Sequence, residues 1–273
     1  MKTLLAPTDF SESGNNAVKY AAHLAHSIKG KLIILHVGQI EGNTPEIPQM
    51  ILSWEAVEKV ARDKMHSLRD DIHRELGALE IECRYRLGST TDEILYKSKK
   101  EHADLIVVGM NGHTELLDRI IGSVATELGR KSEKPVLIIP VHSEFHPYEK
   151  IVLGTDLSSI SNQETLKPLK TLARFFESKI FVLNVRKSLE ETPTESEVTG
   201  SIEVDQFLDG VKHVRDFKEA TEIEEGIQSY AKEHKAELIC LIAHHHSFWY
   251  RLTHETHTKK MMFQTEIPTL ILH

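Results

Sequence analysis

Leu4-Leu5-Ala6-Pro7-Thr8-Asp9-Phe10-Ser11 is answered further along the chain by Val152-Leu153-Gly154-Thr155-Asp156-Leu157-Ser158. Both stretches run from apolar residues into Thr-Asp-x-Ser. Each then turns helical and reaches an apolar strand, Lys31-Leu32-Ile33-Ile34-Leu35-His36-Val37 in the first copy and Lys179-Ile180-Phe181-Val182-Leu183-Asn184-Val185 in the second. Further on, Ala103-Asp104-Leu105-Ile106-Val107-Val108 matches Ala236-Glu237-Leu238-Ile239-Cys240-Leu241, and Pro135-Val136-Leu137-Ile138-Ile139 matches Pro268-Thr269-Leu270-Ile271-Leu272. These matches keep one order, so the chain is an internal duplication. A length of 273 residues fits two domains of ordinary size. We place them at 1–142 and 148–273, with the boundary within Val141 to Lys150.

Within each copy, short β-branched runs alternate with longer helical patterns. That alternation predicts βαβ units and an α/β fold with a parallel sheet buried on both faces. The first helix is expected to begin near Ser11 or Ser13 and to turn Ala17, Ala21, Leu24 and Ala25 toward the sheet. A second, capped by Ser53, carries Trp54, Val57, Ala61, Met65, Leu68, Ile72 and Leu76 on its core face. Two more run from about Thr91 to His102 and from Ser123 to Ser132. The expected order is β-α-β-α-β-α-β-α-β in each half.

Composition excludes several classes. Hydrophobic residues make up 40% and charged residues 27%, as in ordinary globular proteins. No run reaches the roughly 18 apolar residues that span a bilayer, and Met1 to Pro7 stops too early for a signal peptide, so a cytoplasmic location is expected. Cys83 and Cys240 lie far apart inside apparent strands and read as buried thiols. The net charge is −8, with 18 basic and 20 acidic residues up to residue 142 and 15 and 21 beyond it. Neither half carries the basic surface that drives broad binding to nucleic acid or anionic membranes.

The chemistry-bearing stretch is Val108-Gly109-Met110-Asn111-Gly112, nine residues, then Gly122-Ser123-Val124. It leaves a strand and opens a helix, where a parallel sheet places its ligand crevice. Gly109 and Gly112 permit close backbone approach to an anion, and Gly122 and Ser123 bring N–H groups to a helix N-terminus. The Gly-x2-Gly-x9-Gly-Ser spacing, the strands on either side, and Thr8-Asp9 after the first strand together resemble the ATP-binding branch of the universal stress protein family.

The resemblance implies two tandem open parallel five-stranded sheets of order 3-2-1-4-5 with helices on both faces, an adenine nucleotide alpha hydrolase-like fold. It implies ATP with Mg2+ as the ligand of the first half. Asp9 matches the acidic residue at the nucleoside end, and Pro7 and Thr8 line the same turn. Val37 matches the position whose backbone meets adenine. Val108, Gly109 and Gly112 match the first part of the phosphate motif, and Gly122, Ser123 and Val124 the last. Asn111 is a mild departure, since the family often has another polar residue or His there. Pairing of the two halves through their last strands as an intramolecular pseudo-dimer is implied too, with a homodimer of two chains left open by the sequence. Asp9 also fits a turn or capping carboxylate without a ligand, because Asp156 recurs where the glycine motif does not.

The last two repeat matches share one offset of 133 residues, which in the second half puts Ile242 at Gly109, His245 at Gly112, Glu255 at Gly122 and Thr256 at Ser123. Side chains enter the phosphate space and a carboxylate faces the helix start, so no ATP site of the usual kind is expected there. His244, His245, His246, His254 and His257 suggest a metal site. Adjacent histidines diverge, however, and the aromatic Phe248-Trp249-Tyr250 favours a packed loop without metal. The expected role is an ATP-binding stress-response or regulatory module with no catalytic residues. A slow ATPase using His113 is the alternative, though the His-Ile-Gly-His and Ser-Gly-Gly-x-Asp-Ser signatures of related transferases are missing. A ligand-free interaction scaffold is the third reading.

Overall fold

The computed structural model describes residues 1–39, 54–110, 123–157, 163–188, 192, 194–243 and 265–273. In the first half run β1 (Thr3–Pro7), α1 (Glu12–Ser27), β2 (Lys31–Gly38), α2 (Trp54–Leu76), β3 (Glu80–Leu87), α3 (Thr90–Lys100), β4 (Leu105–Gly109), α4 (Ser123–Lys131) and β5 (Val136–Ile139). The second half has β6 (Lys150–Gly154), a 3-10 turn at Gln163–Leu166, α5 (Lys167–Phe175), β7 (Lys179–Arg186), α6 (Glu195–Phe207), β8 (His213–Glu219), α7 (Ile223–His234), β9 (Leu238–Ile242) and β10 (Thr269–Leu272). The expected fourth helix of this half, and the Ser53 cap, lie outside the described residues.

Strand order is β3-β2-β1-β4-β5 in the first half and β8-β7-β6-β9-β10 in the second, the expected 3-2-1-4-5 twice over. The pairs β1–β2, β2–β3 and β1–β4 are parallel, as are β6–β7, β7–β8 and β6–β9. β9 and β10 are buried at every position, so both of their faces are covered. The outer strands β3 and β8 are only partly covered. That explains Cys83, which is half-buried on β3 instead of buried, whereas Cys240 on β9 is fully buried; neither forms a disulfide.

By its contacts the chain divides into two units. The first holds the described residues of 1–110 with 123–128 and 139–145, and the second those of 129–138 and 146–273. Within the second, β10 runs antiparallel to Val136–Ile138, with Leu270 opposite Leu137.

Ser11 caps α1 by accepting the Gly14 amide at 3.1 Å, and Ala17, Ala21, Leu24 and Ala25 are buried as the spacing predicts. Small residues there let α1 lie close on β1 and β4. On α2, Met65, Leu68 and Ile72 are buried, but Val57 is 41% exposed. Its position in the first turns of the helix carries it past the core to the wall of a cleft. No helix among the described residues is long and apolar enough to cross a membrane.

Candidate functional site

The turn after β1 is built by side chains. The Thr8 amide donates to the Leu35 carbonyl at 2.9 Å, tying the turn to β2. Thr8 Oγ1 accepts the Phe10 amide at 2.9 Å and lies 3.0 Å from Asn15 Oδ1. Phe10 takes the left-handed conformation, with φ of 66°. Asp9 Oδ1 accepts from the Ser11 amide at 2.9 Å and from the Ser11 hydroxyl. Asp9 thus does the turn work that its recurrence as Asp156 implies. Gly14 matters here because a Cβ on it would stand 2.7 Å from Asp9 Oδ1. A side chain here would displace the Asp9 carboxylate from its place in the turn and crowd the Asp9 amide nitrogen at 3.3 Å.

These residues form one wall of a cleft of about 540 Å³ in the first unit, at the carboxyl ends of β1, β2 and β4. Pro7, Thr8 and Asp9 come from the first turn, and Val37 from the end of β2. Val108 and Gly109 end β4, and Ser123 and Val124 open α4. Eight of the ten positions singled out from the sequence therefore line one space. Gly112 and Gly122 lie outside the described residues, as do Asn111 and His113. So do His244 to His246, His254, Glu255, Thr256 and His257, and the aromatic run Phe248 to Tyr250.

Gly109 has a second reason to be glycine. A Cβ there would lie 2.4 Å from Ser13 Oγ and 2.6 Å from the Ser13 carbonyl oxygen. Helix–strand packing demands it, whatever the cleft holds.

The cleft also uses residues that the pattern reading passed over: Gly14, His36, Gly38, Tyr85, Thr90 and Met110. His36 Nδ1 lies 2.8 Å from the Thr8 carbonyl, so it carries the proton and Nε2 the lone pair. Burial holds this imidazole below its usual range, against the opposing pull of the Thr8 carbonyl and Asp9. The ring stacks on Phe10 at 4.4 Å and faces Tyr85 at 6.0 Å. Alternation along β2 signals this: His36 sits among apolar residues at a strand end, one step before Val37.

Among the described lining residues Asp9 carries the one formal charge, so an anionic group here would rely on backbone N–H groups and the start of α4. No cluster of three metal-ligating side chains occurs among the described residues.

The sequence profile of the universal stress protein family matches residues 1–140 and again 147–273. The chain belongs to the universal stress protein family. It is a tandem member, consistent with the duplicated strand order. It is similar to Universal stress protein Slr1230 of Synechocystis, 22% identical over 99% of both chains. It also resembles Universal stress protein MJ0577 of Methanocaldococcus jannaschii, 27% identical over 50% of this chain and 94% of that relative. Among solved structures, a universal stress protein from Archaeoglobus fulgidus superposes with a TM-score of 0.73 over 98% of this chain and 97% of its own, at 15% identity. That likeness speaks for the fold.

Proposed function

We propose that the protein is a cytoplasmic stress-response module that binds ATP with Mg2+ in its first repeat, the occupancy changing how it meets partner proteins. The observation that carries this reading is the convergence of Pro7, Thr8, Asp9, Val37, Val108, Gly109, Ser123 and Val124 on one cleft. Its volume lies within the roughly 300–1,000 Å³ of small-molecule sites. The donor set suits a polyphosphate chain held by backbone groups, with Gly109, Ser123 and Val124 at the β4–α4 side. Mg2+ keeps most of its waters and binds through phosphates, so it needs no dedicated cage of carboxylates. The second repeat has Ile242 in place of Gly109, and we assign it a structural or interaction role.

Calorimetric titration of the full chain with ATP tests the proposal. One site per chain is expected, and Gly112→Val should weaken ATP far more than adenosine. Two sites per chain, or no binding of either, would overturn it. Phosphate release should fall well below the roughly 1–1,000 per second of ordinary enzymes. Turnover in that range, lost in His113→Ala with ATP affinity intact, would move the protein into the enzyme class.

A further inference from the structure

Gly38 ends β2, and Tyr85 lies on β3 opposite His36 in the strand register. A Cβ built on Gly38 would stand 2.5 Å from Tyr85 Oη, so the hydroxyl occupies the room that a side chain would take. Oη is shut off from solvent and has no hydrogen-bond partner among the described residues. Yet both residues line the cleft. Burial raises the phenol above its usual range, so it keeps its proton and remains a donor. A buried donor left unpaired costs free energy, and phenylalanine would fill the same ring space without that cost.

The second repeat supplies an internal control. Its register sets Phe217 opposite Asn184 as the first sets Tyr85 opposite His36, and Arg186 stands where Gly38 stands. Phe217 has no hydroxyl, and the Arg186 guanidinium lies over its ring at 4.6 Å. Arg186 Nε donates to Asn184 Oδ1 at 2.7 Å. Hydroxyl and side-chain gap occur together in the first repeat and are replaced together in the second.

We infer that Tyr85 donates a hydrogen bond to the nucleoside end of the ligand in the first-repeat cleft, and so helps set its specificity. This rests on the function proposed above. The strand order puts three inter-strand steps between β3 and β4, about 14 Å at usual spacing, so Tyr85 acts away from the phosphate side. Because Oη is covered in the free protein, the ring must turn out of the Gly38 gap as the ligand enters. That motion exchanges an unmade hydrogen bond for a made one.

The test uses full-length wild type and Tyr85→Phe, titrated with ATP and with adenosine, together with urea unfolding of the free proteins. The variant should weaken both ligands by the same factor, about five- to tenfold. Unligated stability should be equal or higher, because the unpaired hydroxyl is gone. Unchanged affinity for both ligands would make Tyr85 a packing residue and overturn the inference while the ATP reading stands. Loss for ATP alone would place Tyr85 on the phosphates and overturn the nucleoside assignment. Wild type that binds neither ligand defeats the ATP reading, and this inference falls with it.

Discussion

The turn after β1 and the turn after β6 are the same device built twice. In the first, Thr8 donates its amide to Leu35 and accepts the Phe10 amide; in the second, Thr155 donates to Leu183 at 3.0 Å and accepts Leu157 at 3.1 Å. Phe10 and Leu157 both adopt the left-handed conformation. The His36 ring bonds the Thr8 carbonyl, and the Asn184 amide bonds that of Thr155 at 3.2 Å. At the other side of each sheet, the Met110 amide meets the Ile139 carbonyl as Ala243 meets Leu272. The repeats part company at strand ends, where Arg186 takes the position of Gly38 and Ile242 that of Gly109. The shared turn is scaffold; of the two differences, Gly109 answers to α1 packing against Ser13 and Gly38 to the Tyr85 hydroxyl.

The largest effects should come from exchanging volume at the β4 and β9 ends. Gly109→Val would drive a side chain into Ser13 and should cost about 1–3 kcal/mol or more, as overpacking does. Ile242→Ala empties a buried site and should cost about 2–5 kcal/mol. Urea denaturation measures both. A tolerated valine at 109 would break the claim that α1 packing requires glycine there.

Next come the turns. Thr8→Val and Thr155→Val each remove the acceptor for a turn amide and should cost about 1–2 kcal/mol, the Thr8 variant more because Asn15 also loses its neighbour. Should one variant prove neutral in chemical unfolding, the two turns would not be the same device.

A smaller, pH-dependent difference follows from His36, which Asn184 replaces in the second repeat. Its folded pKa is depressed by burial, so between that value and about 6.5 the unfolded chain binds a proton that the native one does not. The contribution of the neutral ring is complete above about pH 6.5 and is lost as pH falls through this window. His36→Asn should flatten the fall in stability between pH 7.5 and 5.5, and an unchanged slope would assign it to other groups. The smallest expected effect is none at all: chelator should leave the melting temperature unchanged, as the packed-loop reading of the His-rich second-repeat segment requires, and a large drop would show a structural metal there.

The α/β class, the element order and helix placement are legible because alternating βαβ periodicity and the internal repeat leave few topologies, whereas the strand order follows only from the family resemblance. The place of Gly109 is legible too, since it ends a strand and ligands lie beyond strand ends, while Thr8 and Val37 join it through the family resemblance. Gly14, His36, Gly38 and Tyr85 were passed over. Their roles depend on distances between elements: the approach of α1 to the Asp9 carboxylate, and the β2–β3 register that sets a phenol against a glycine. Val57 shows the same limit in reverse, because helical spacing makes it a core residue and the helix start exposes it to the cleft.

What the sequence determined by itself was the periodic part, namely two copies of an α/β unit, the Thr-Asp-x-Ser turns and the glycine spacing, because hydrophobic period and turn chemistry are local. The tertiary structure decided which face of each glycine is crowded, why Asp9 is committed to its turn, and that Tyr85 Oη fills the gap beside Gly38. Those outcomes are set by packing between residues far apart in the chain, where differences of an ångström separate a contact from a clash.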